Sequence, residues 1–92
     1  MKLSWTNKAL ADLTRLHQFL APVNPQAAAR VVQSLVEAPH QLRQHPRLGE
    51  QLEEFKPREV RRILIGSYEM RYEIAHNNTL YILRLWHTRE QR

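Results

Sequence analysis

Apolar residues recur with helical spacing through the first half of the chain and with strand spacing through its last third. From Ala9 they fall at 9, 10, 13, 16, 19 and 20, a stripe with a 3.6-residue repeat that predicts an amphipathic helix to about Leu20. Asp12, Arg15 and Gln18 are expected on its polar side. Thr6 or Asn7 supplies an N-cap oxygen. Pro22 and Pro25, which lack a backbone N–H, break the helix, and Asn24 followed by Pro25 starts another. The stripe Ala28, Val31, Val32, Leu35 and Val36 predicts a helix over Pro25–Glu37, with a kink or restart at Pro39 and an end before Pro46. Ahead of both helices, Lys2–Trp5 alternates as a short strand, with Leu3 and Trp5 on one face and Lys2 and Ser4 on the other.

Residues 47–58 read as a polar connecting loop anchored by Leu48, Leu52 and Phe55. Val60–Ile65, Tyr68–Ile74 and Thr79–Trp86 read as strands, with turns at Gly66-Ser67 and Asn77-Asn78, where asparagine tolerates a left-handed backbone. In the middle strand Tyr68, Met70, Tyr72 and Ile74 face inward, and Glu69, Arg71 and Glu73 outward. The order β-α-α-β-β-β predicts one α+β domain over 1–92. A helical hairpin packs on one face of a small, mainly antiparallel sheet, and the other face is polar.

Composition narrows the chemistry. The chain has no cysteine, so a disulfide framework or thiolate metal site is excluded. Of five histidines only His40 and His45 lie close together, and no carboxylate completes a ligand spacing; no metal and no cofactor is expected. No apolar run approaches the ~20 residues of a membrane span, and the cytoplasm is the default location. The net charge of +5 favours an anionic partner, nucleic acid or acidic protein. Arginine far outnumbers lysine, which suits bidentate contacts to phosphate or carboxylate. Six arginines, at 61, 62, 71, 84, 89 and 92, crowd the closing run.

That run, with GSYEMRYEI, the NN turn and LYILRLWHTREQR placed after two helices, resembles the ParE/RelE superfamily of type II toxin–antitoxin toxins. The resemblance spans nearly the whole chain. It implies a growth-arresting toxin, of a kind used in plasmid stabilisation, held in a hetero-oligomer by a cognate antitoxin. ParE-like members poison DNA gyrase by binding; RelE-like members cut messenger RNA on the ribosome. RelE-like nucleases commonly place an arginine directly after the tyrosine that corresponds to Tyr68. Here that position is Glu69, an anion where a phosphate wants a cation. The departure favours the ParE-like branch. A non-toxic nucleic-acid-binding module is the remaining alternative.

Three residue sets follow. Arg71, Arg84, Trp86, His87, Arg89 and Arg92 are expected to contact the target, with Trp86 the candidate for stacking on a base. Arg62, His87 and Arg89 would be the catalytic groups of a nuclease, His87 as general acid or base. The stripe Leu10, Leu13, Leu16 and Leu20 is expected to be mostly core, and any uncovered part of it an antitoxin groove.

Overall fold

The computed structural model describes residues 1–90. Strand β1 (Lys2–Trp5) leads into helices α1 (Asn7–Leu20) and α2 (Pro25–Gln44). Strands β2 (Glu50–Gln51), β3 (Glu59–Ile65), β4 (Tyr68–Ile74) and β5 (Thr79–His87) follow. They form one sheet in the order β1-β5-β4-β3-β2. β1 runs parallel to β5 and every other neighbour pair is antiparallel. The expected α+β class holds, with one strand more than the pattern suggested. The Glu50–Gln51 strand and a 3-10 turn at Glu53–Phe55 lie in the stretch read as loop. Two residues are too few to alternate visibly.

The helix caps are those the sequence offers. Thr6 Oγ1 accepts from Ala9 N–H (3.1 Å) and Asn24 Oδ1 from Ala27 N–H (3.0 Å). Each leaves one fewer orphan donor at a helix start, worth about 1 kcal/mol. Helix α2 does not restart at Pro39; it continues to Gln44. Pro39 is buried together with Ala28, Leu35 and Leu42. These four lie at i, i+7, i+11 and i+14, so one stripe runs past the proline, and its burial offsets the lost backbone bond.

The core lies between the helices and one sheet face, built from Ala9, Leu16, Leu35, Leu42, Met70, Tyr72, Leu80, Ile82 and Leu85. Tyr72 is fully buried with both functions of its hydroxyl satisfied. The oxygen accepts from Gly49 N–H (2.9 Å) and donates to Pro46 O (2.7 Å), tying the loop ahead of β2 to the sheet. In the β4–β5 hairpin, Ala75 N–H donates to Thr79 O (2.9 Å) and Asn78 takes φ 57. That is the left-handed residue required by a three-residue hairpin loop.

One irregularity governs the rest. Tyr72 faces Ile82, but Arg71 faces Arg84, so β5 carries a bulge at Leu83. Before it, the even residues Leu80 and Ile82 point into the core; after it, Leu85 does. The extra residue inverts the alternation. Trp86 therefore lies opposite Glu69 on the face away from the helices, and His87 lies opposite Tyr68 on the helix side.

Candidate functional site

The face away from the helices is not the open basic surface the sequence suggested. Val60, Glu69 and Trp86 are buried there, Glu69 to 1% exposure. Glu69 accepts from Arg71 Nε at 3.1 Å and lies 3.5 Å from Arg62 Nη1, while Arg62 also bonds Glu50 at 3.1 Å. The Arg71 guanidinium lies over the Trp86 ring (4.7 Å) and beside Phe55 (5.8 Å), and Arg84 over the same indole (5.6 Å). At 6% exposure beneath two guanidiniums, Trp86 has no free ring face for a base. Expecting it to stack on a target is thereby corrected. Arg58 is held by Glu73 (2.7 Å). Carboxylates thus engage Arg58, Arg62 and Arg71.

Arg84 turns off this face to helix α1. Its Nε donates to Asp12 Oδ2 (2.7 Å) and a terminal nitrogen to Oδ1 (3.2 Å). Arg15 donates to the same carboxylate (3.2 Å), and Leu85 N–H donates to it at 2.9 Å. Asp12 was expected on the polar side of α1; it is 5% exposed and faces the edge of β5. Burial alone would raise its carboxyl, but the bonds from Arg84, Leu85 N–H and Arg15 outweigh that and leave it below the ordinary carboxylate range.

The tail folds back over the helix side. Thr88 N–H bonds Ser67 O (2.9 Å), Glu90 N–H bonds His87 O (3.0 Å), and His87 N–H bonds Glu90 Oε1 (2.7 Å). Arg15 pairs with the other oxygen of Glu90. The His87 imidazole meets Tyr68 edge-on at 5.1 Å, and its Nδ1 accepts from Arg89 N–H (3.1 Å). Burial, and then the Glu90 charge, raise the Tyr68 phenol, which stays a donor at neutral pH. These groups line a cleft of about 490 Å³ with Leu16, Phe19 and Leu20 of α1. Phe19 is 80% exposed at its mouth. This cleft joins two of the expected sets: His87 and Arg89 from the target contacts, and Leu16 and Leu20 from the α1 stripe.

The stripe itself divides. Leu16 is core, Leu13 is half-buried against it, Leu20 lines the cleft and Leu10 is exposed. Leu16 packs in the core, as expected of most of the stripe, and also forms part of the cleft floor. The nuclease set does not assemble. Arg62 stands opposite Arg71 on the face away from the helices, while His87 stands opposite Tyr68 on the other face. Arg92 lies outside the described residues. Among the described residues no group of His, Asp or Glu is arranged to hold a metal, and no helix is long and apolar enough to cross a membrane.

The family profile for the ParE toxin of the type II toxin–antitoxin system parDE matches residues 3–92. The chain belongs to this family of type II toxins. It is 32% identical over 83 residues to Toxin RelE2 of Caulobacter vibrioides, covering 90% of each chain. Among solved structures it resembles a chain of the chromosomal ParDE toxin–antitoxin system from P. aeruginosa, with a TM-score of 0.78, 27% identity and 95% of each chain covered. A chain of the RelBE2 toxin–antitoxin complex from Mycobacterium tuberculosis aligns at a TM-score of 0.57, with 25% identity and 94% and 95% covered. This ParE-family toxin therefore has two chemically distinct surfaces: a neutralised guanidinium–carboxylate lattice on one sheet face and an apolar cleft with cationic rims on the other.

Proposed function

We propose that this toxin acts in the cytoplasm by binding rather than by cutting RNA, with DNA gyrase as its target, and that its antitoxin neutralises it by covering the tail cleft. The carrying observation is Glu69, buried and bonded to Arg62 and Arg71. RNA cleavage needs cations free to stabilise charge building on phosphate. Here those cations already serve a carboxylate, and His87 lies on the opposite face. The cleft suits a protein partner because it has an apolar floor, an exposed aromatic anchor at Phe19 and an arginine at its rim, the pattern of a binding hot spot.

The test is one toxin preparation assayed two ways. Inhibited gyrase supercoiling without cleavage of a translated message supports the reading. Message cleavage that is lost in His87→Ala, with supercoiling untouched, replaces it with the RelE-like alternative. No growth arrest on induction, with both assays silent, favours a non-toxic binding module.

A further inference from the structure

Positive charge is balanced unevenly over the molecule. On the sheet face Arg62 bonds Glu50 and Arg71 bonds Glu69, and beside α1 Arg15 and Arg84 share Asp12. The end of the sheet opposite the tail differs. There β1 begins, α2 ends, β3 begins and β4 turns into β5. Lys2 N–H bonds Asn78 O in the β4–β5 loop (3.0 Å), and Arg43, in the last turn of α2, donates from Nε to Met1 O (3.1 Å). His76 of the same loop lines a hollow of about 430 Å³ with Arg47 and Arg58. His45, the C-cap of α2, is exposed beside them.

Two carboxylates stand in this cluster. Glu73 is held by Arg58 (2.7 Å), and Glu59 is shared by Arg47 (3.0 Å) and Arg61 (2.9 Å). Glu53 pairs with Lys56 (2.6 Å), and Glu54 lies outside the hollow. Lys2 and Arg43 are exposed and pair with no carboxylate among the described residues. Lys2, Arg43 and one of the two arginines on Glu59 are therefore in excess. Like charges gathered this way repel one another, and a polyanion relieves them. The surroundings select its kind. A protein partner draws its affinity from apolar anchors, yet Phe19, Val23 and Leu64, the most exposed apolar side chains, lie outside the hollow. Phosphates need no such anchor, because their affinity comes from neutralised charge and released counterions.

We propose that this pole binds the phosphate backbone of a DNA duplex, with Lys2 and Arg43 as its main contacts and Arg47, Arg58, His45 and His76 around them. The proposal rests on the gyrase reading for the presence of a duplex beside the target. It sets that duplex about 25 Å along β5 from His87, away from the tail cleft.

The test is fluorescence anisotropy of a labelled short duplex of mixed sequence, titrated with the full chain across 0.05–0.2 M salt. Three phosphate contacts predict a slope of about −3 for the logarithm of affinity against that of salt. Arg43→Glu should weaken binding about tenfold at 0.1 M and flatten the slope by about 1, and Lys2→Glu should do the same. Arg30→Glu is the control. It makes the same charge change at an exposed position of the same helix, about 20 Å away and beyond the roughly 10 Å screening length, so affinity should change less than twofold. Thermal unfolding should shift little in all three variants, since each site is exposed. No binding at 0.05 M salt, or equal weakening by Arg30→Glu and Arg43→Glu, overturns the proposal. Better competition by poly-glutamate at equal charge overturns it for an acidic protein, and by single-stranded RNA for another source of phosphate. Gyrase supercoiling is scored separately. Inhibition without duplex binding removes only this site, and duplex binding without inhibition removes only the gyrase reading.

Discussion

Asp12 is the residue whose removal tests the tertiary reasoning most directly. Its carboxylate is the only acceptor given to the buried Leu85 N–H among the described residues, and it neutralises Arg84 and Arg15. In Asp12→Ala the orphaned N–H costs about 1–3 kcal/mol. The ion pair to the half-exposed Arg84 adds no more than about 1 kcal/mol after solvent screening. The expected loss is about 1–4 kcal/mol, or roughly 5–30 °C in Tm for a domain of this size. Asp12→Asn keeps an oxygen for Leu85 N–H and should lose only about 1 kcal/mol. The pH dependence follows from the direction of the shift. With the folded carboxyl below its unfolded value, its stabilisation is complete above the unfolded value and is lost as pH falls through the folded one. Wild type and Asp12→Asn should therefore converge below about pH 4. Urea unfolding at pH 7 and across pH 3–7 measures both. A cost under about 1 kcal/mol for Asp12→Ala, or a wild-type advantage over Asp12→Asn that does not shrink with acid, would refute the reasoning.

Gly49→Ala puts a Cβ 2.6 Å from Arg62 O and 2.7 Å from the Tyr72 hydroxyl. Backbone cannot yield as a flexible side chain does, so a loss of about 1–3 kcal/mol is expected in thermal or urea unfolding. Tyr72→Phe leaves the Gly49 N–H and Pro46 O without their shared partner, and about 1–3 kcal/mol should go by the same measurement. Phe19→Asp, at an 80% exposed position, should change stability by less than about 0.5 kcal/mol. It should weaken antitoxin binding by at least about tenfold in calorimetry, because it removes the cleft's aromatic anchor.

The stripe positions show where sequence reasoning succeeds. Ala9, Leu16, Leu35 and Leu42 repeat at helical spacing, and each is buried because a helix has only one stripe to offer a sheet. Asp12 was legible in part. It sits three residues after Ala9 and four before Leu16, on the buried side, but its polarity argued for solvent until the open edge of β5 supplied a backbone donor and two arginines. Glu69 stood out in the sequence as an anion directly after Tyr68. Its burial was not visible, because only pairing places Trp86 across from it. The Glu90 clasp on His87 N–H and Arg15 had no signal in the closing polar run, since its partners are 3 and 75 residues away.

By itself the sequence determined the two helices and their caps, the Asn78 turn, the inward face of β4 and the family. All of these depend on local periodicity, on backbone preferences of single residues, or on motif order. Tertiary structure alone decided which face carries the tail. A strand alternates every residue, so the bulge at Leu83 exchanges the sides of Trp86 and His87. The bulge is set by how β5 registers against β4, across the hairpin, and by what α1 offers its free edge from 73 residues away. It is that exchange that buries the tryptophan beneath Arg71 and Arg84 and brings His87 and Arg89 to the cleft beside Phe19.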